Sequence, residues 1–141
     1  MIEKAINNIL VNDATVTDIT TEIYFGANPY INPAVTPTNN PYLVFYRNAT
    51  EPYDTKTSRS TLDLATIHIN MFAKTAMEVA DLAQAVRGAL DRNSGTYASI
   101  KVQSVQFKNE STGFEYTAEL SERGIFQITH FYACRVEPIY T

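Results

Sequence analysis

A strand that turns directly into a capped helix, at residues 61–90, constrains the fold of this chain more than any other stretch. In Ala65-Thr66-Ile67-His68-Ile69-Asn70-Met71 the residues Ala65, Ile67, Ile69 and Met71 share one parity, and His68 and Asn70 take the other. Successive side chains on a strand point to opposite faces, so this pattern predicts a half-buried strand. After Phe72-Ala73-Lys74 comes Thr75-Ala76-Met77-Glu78, the spacing of a capping box. The helix that follows sets Val79, Leu82, Ala83, Val86 and Leu90 on one stripe. Glu78 and Asp81 near its start and Arg87 and Arg92 near its end suit the helix dipole. A strand running straight into such a helix must fold it back over its own sheet to bury the stripe.

The flanking sequence extends this unit. Ile2, Ala5, Ile6, Ile9 and Leu10 form one helical face, predicting a helix at residues 2–11 that ends in Asn12-Asp13. Residues 15–21 are rich in β-branched side chains but weakly patterned. Ile23-Tyr24-Phe25 is a short strand stopped by Gly26, and residues 27–41, with four prolines, read as a long loop. Residues 42–47 are a dense β-prone run, and residues 48–60 a second polar connection. Asn93 or Gly95 would end the helix in the left-handed conformation. Residues 100–107 begin a strand whose apolar parity changes near Ser104, which predicts a β-bulge. Residues 108–123 read as a third loop. A long alternating strand at residues 124–136 ends before Pro138. The expected architecture is a single domain over residues 1–141: α+β, a mostly antiparallel sheet of four to five strands with two helices on one face.

Charge and chemistry narrow the function. The net charge is −4 with no cluster of Lys or Arg, which disfavours sequence-specific nucleic-acid binding. The single cysteine, Cys134, rules out an intrachain disulfide and points to a reducing compartment. No stretch approaches a membrane span, and no nucleophile elbow, phosphate loop or zinc motif is present. His68 and His130 fall on opposite parities of their strands, and Cys134, four residues from His130, is too far along a strand (roughly 13 Å) to share a metal with it. Packing roles are expected for all three. Glu51 and Asp54, and Glu115, Glu119 and Glu122, lie in polar segments with no apolar pocket implied, so solvated charge is the expected role. Neither a cofactor nor an enzymatic activity is expected. Aromatics are abundant, with nine Tyr and seven Phe, and Tyr beyond the needs of a small core points either toward protein contacts or toward exposed strands, which Tyr also suits.

A family resemblance runs through these segments in order. It begins at Met1-Ile2-Glu3-Lys4-Ala5-Ile6 and Pro41-Tyr42-Leu43-Val44-Phe45. It continues through Ala65-Thr66-Ile67-His68-Ile69-Asn70-Met71-Phe72-Ala73-Lys74-Thr75 and Ala80-Asp81-Leu82-Ala83-Gln84-Ala85-Val86-Arg87 to Leu90-Asp91. The strands at residues 100–107 and 124–132 complete it. Together they resemble the tail terminator, or tail completion, proteins of long-tailed bacteriophages. The resemblance implies a virion protein assembled in the host cytoplasm. It implies a homo-hexameric ring on the last ring of the tail tube protein, which stops polymerisation and offers a docking surface to the head-side connector or head-completion protein. DNA would pass through such a ring without specific binding. The family has no catalytic residues to carry over, and here residues 27–41 and 109–123 are fuller than its pattern. Tyr30, Tyr42, Tyr46, Tyr53, Arg59, Phe114 and Tyr116 are the expected subunit or tube contacts. Two alternatives stand beside it: another neck or connector subunit, and a small ligand-binding or hydrolytic α+β domain built around His68 or His130.

Overall fold

The computed structural model describes residues 2–26, 41–52, 62–115 and 125–137. Its organising strand, β3 (Asp63–Ala73), buries Ala65, Ile67, Ile69 and Met71 and leaves Thr66, His68 and Asn70 half-buried on the other face, as the alternation requires. The Thr75 hydroxyl accepts from the Glu78 amide at 3.1 Å and opens α3 (Ala76–Leu90), which buries Val79, Leu82, Ala83, Val86 and Leu90. The helix leaves at Asp91, whose amide donates to the Arg87 carbonyl at 2.8 Å. Arg92, at φ 62°, takes the left-handed position expected of Asn93 or Gly95. Asn93 instead donates its side-chain amide to the Ala89 carbonyl at 2.9 Å, satisfying a terminal acceptor without a glycine.

The remaining elements are α1 (Ile2–Val11), α2 (Ala14–Ile19), β1 (Ile23–Phe25), β2 (Tyr42–Pro52), β4 (Gly95–Tyr97), β5 (Ile100–Glu115) and β6 (Ile125–Val136). The sheet order is β1-β2-β3-β6-β5-β4, antiparallel throughout except for the parallel β1–β2 pair. The fold is thus α+β as expected, with six strands and three helices among the described residues where four to five and two were expected.

Each difference has a local cause. The β-branched segment after Asp13 becomes α2 because the Asp13 carboxylate accepts from the Val16 amide at 3.0 Å, a cap that outweighs strand propensity. Strand β4 is joined to β5 by Ala98-Ser99, both at positive φ (51° and 66°), the backbone of a two-residue hairpin turn without its usual glycine. Residues 48–52 and 108–115, expected as loop, continue β2 and β5. Both are held by ladders to neighbours that each bury one face, Glu51 opposite Leu64 of β3 and Glu110 opposite His130 of β6. Their exposed polar residues conceal the pairing. The bulge expected near Ser104 lies between Val102 and Ser104, and a second lies between Phe107 and Asn109. The expected loop at residues 27–41 lies outside the described residues except for Pro41, as do residues 53–61 and 116–124.

Both α1 and α3 pack on one sheet face, where Ile6, Leu10, Leu82, Val86, Ile67, Ile69 and Tyr132 share a single core. Six strands span about 24 Å at ~4.8 Å spacing. A ten-residue helix is about 15 Å long. Yet α1 touches β1 and β2 on one side and β4 and β5 on the other. The sheet therefore curls, and α1 bridges the space between its two edges.

Candidate assembly surfaces

The titratable groups of the core are held in packing roles. His130, on the helix-facing side of β6, has Nε2 2.8 Å from the Glu110 carboxylate and Nδ1 2.9 Å from the Tyr132 hydroxyl. A carboxylate only accepts, so Nε2 carries the proton and Nδ1 accepts from Tyr132. Burial pushes the His130 pKa below its ordinary value, the Glu110 hydrogen bond and charge oppose this, and the Arg87 charge adds to the depression. Arg87 lies with its guanidinium carbon 3.9 Å from the centre of the Phe107 ring, which meets His130 edge-on. Burial raises the Tyr132 hydroxyl strongly and pushes the Cys134 thiol up to about 12, far from a thiolate nucleophile. Among the described residues no cluster of His, Cys, Asp or Glu could hold a metal.

His68 points to the opposite face. Its Nδ1 lies 3.0 Å from the Tyr46 hydroxyl, and its ring meets Phe131 edge-on at 4.3 Å. The two histidines therefore sit on opposite faces of the sheet, as their parities require, and form no common site. Beside this half-buried aromatic row, a second small apolar cluster gathers Tyr42, Val44, Phe72 and Ile125.

The expected contact residues separate accordingly. Tyr42 is fully buried and stacked on Phe72 with ring centroids 4.8 Å apart, so its ring belongs to the interior of the subunit. Tyr46 is half-buried on the face opposite the helices. Phe114 is placed by the backbone of β5 opposite Phe126. Tyr30, Tyr53, Arg59 and Tyr116 lie outside the described residues. The structure adds residues that sequence reasoning missed: Phe25 and Val11, large apolar side chains 59% and 43% exposed. They line a groove of about 770 Å³ above α1, together with Lys4, Phe45, Arg47 and Ala98. Across it, the Arg47 Nε lies 3.0 Å from the Glu3 carboxylate. No periodicity marks Phe25 as exposed; the one signal is its place at the end of a three-residue edge strand, before Gly26.

The chain belongs to the family described as tail completion protein gp17, whose model matches residues 4–132. It is thus a structural tail protein of the virion, as the resemblance implied. A chain from the virion of a native gene transfer agent particle shares the fold, with a TM-score of 0.67 at 16% identity, covering 95% of this chain and 92% of that one. A second solved chain matches with a TM-score of 0.57 at 10% identity over 99% and 98% of the two chains. No curated protein sequence matches.

Proposed function

We propose that this protein forms a ring, hexameric in the family's manner, that sits on the last ring of the tail tube, stops its polymerisation and offers its other side to the head-side connector. The observation that carries this reading is the family match over residues 4–132. The likeness in fold to a chain of a phage-like virion supports it. The physics needs no reaction. A capping subunit acts by occupying the growing surface of the tube while failing to reproduce that surface on its far side. Closed rings are built from heterologous contacts, one patch against a different patch of the next copy. The described surface offers unlike patches: a groove with exposed Phe25 on one side of the sheet, and the polar outer half of β5 on the other.

Solution mass tests the ring directly. Light scattering over a concentration series, with negative-stain imaging of the same sample, is expected to show a species of about six subunits with a central hole. A monomer at every concentration that also fails to bind tails lacking their terminal ring overturns the reading. A ring that binds the portal side before any tail would favour the neck or connector alternative.

A further inference from the structure

Among the described residues two strand edges have no strand beside them, and they lie at opposite corners of the sheet. β1 pairs with β2 only through Leu43–Phe45, so the outer edge of β2 from Tyr46 to Glu51 has no strand beside it among the described residues. β4 pairs with β5 only through Ile100–Val102, and the turn after α3 adds backbone bonds at Val105 alone. The outer edge of β5 from Lys108 to Gly113 likewise has no strand beside it among the described residues, with the Glu110 amide donating to the Asn109 side-chain oxygen at 2.7 Å. Residues 47–51 and 108–113 are all exposed. The register puts the β2 edge at the end of the sheet where Pro52, Asp63 and Val136 meet, and the β5 edge at the other end, where Gly113 faces Gln127.

We propose that the open edge of β2, with the groove beside it, receives the outer half of β5 from a second copy of this chain, so that one sheet continues from subunit to subunit. The inference deepens the ring reading and rests on it. Three observations carry it. First, β2 and β5 run in opposite directions within the sheet, because each step β2–β3–β6–β5 is antiparallel. A neighbour that continues the sheet in the same orientation presents its β5 antiparallel to β2, the pairing that hairpin-like ladders favour. The corner-to-corner placement means neighbours join with an offset along the strands, and such an offset is what closes a tilted sheet into a ring.

Second, the charges match. Read antiparallel, the acid Glu51 on β2 meets the base Lys108 on β5. Arg47 and Glu110 fall two residues out of line in that register and are already held within the subunit by Glu3 and His130, so the match rests on Glu51 and Lys108. Third, the β2 edge opens onto the groove above α1, where Phe25 and Val11 are exposed and would be covered by the incoming strand. Each edge carries a bulge at its inner end, between Arg47 and Ala49 and between Phe107 and Asn109, a device that discourages indiscriminate pairing of open strands.

Mixed cysteine variants test the pairing. Cys134 is fully buried, so Glu51→Cys and Lys108→Cys introduce the reactive thiols. Mixed and oxidised, the two single variants are expected to form a covalent dimer, and the double variant a ladder of higher species; each single variant alone is expected to stay monomeric on a denaturing gel. Charge reversal gives a second readout. Glu51→Lys and Lys108→Glu are each expected to raise the concentration for half-assembly about tenfold, and the paired swap to restore it. Circular dichroism and thermal melts of every variant confirm that folding is intact. Wild-type rings whose assembly ignores both reversals and which yield no mixed dimer would overturn the edge pairing and leave the ring standing. Cross-linking of Glu51→Cys to the tube subunit alone would assign this edge to that partner and also overturn the pairing. A wild-type chain that never assembles would remove the ring and the pairing together.

Discussion

His130 is held by three partners: a carboxylate, a phenol and a phenyl ring. Its pKa in the fold is depressed, chiefly by burial, and so is that of His68. A depressed histidine contributes stability that is fully present above its unfolded pKa, near 6.5, and is lost as pH falls through the folded value. Thermal melts are therefore expected to show a lower midpoint at pH 5.5 than at pH 7.5. His130→Gln is expected to lose about 1–3 kcal/mol at pH 7.5, from partners left unsatisfied, and to show a smaller acid shift than the wild type. An unchanged acid shift in the variant would place the sensitivity elsewhere. The sequence shows His130 on the apolar parity of its strand. It does not show Glu110 as the partner, because residue 110 falls in a polar run that reads as loop until its pairing with β6 is seen.

At the scale of elements, legibility follows hydrophobic period and capping chemistry. α3 was readable to its first residue because Thr75 and Glu78 sit at capping distance and the apolar stripe repeats at helical spacing. Thr75→Ala is expected to cost about 1 kcal/mol in chemical denaturation, the usual loss for an N-cap oxygen, and a change under ~0.3 kcal/mol would show the cap to be dispensable. β3 and β6 were readable for the same reason, since each has one buried face. The outer halves of β2 and β5 were not, because their side chains are exposed on both faces and no alternation can develop. α2 and β4 were hidden because no hydrophobic period marks them and the Asp13 cap and the Ala98-Ser99 turn decide them locally, whereas β1, as short as β4, carries the apolar run Ile23-Tyr24-Phe25. Exposure was the least legible property: the fold buries Tyr42 within the subunit and exposes Phe25, and no pattern in the sequence marks either.

For the whole molecule, membership of the tail completion family and the curled α+β fold support one account: a subunit that acts by shape and association. α1 bridges the two sides of the curled sheet, and among the described residues strand edges without a partner lie at opposite corners, where the proposed contacts between subunits would form. That combination suits a ring laid on an existing tube, where subunits must fold first and assemble second. In the proposed role the ring ends tube growth. The direct measurement is tube length, read by electron microscopy, when tail tube protein polymerises with and without this protein. The account predicts that added protein stops growth, leaving tubes that bear a cap at one end and do not lengthen when more tube subunits are supplied. Tubes that keep lengthening from an end already occupied by this protein would contradict it.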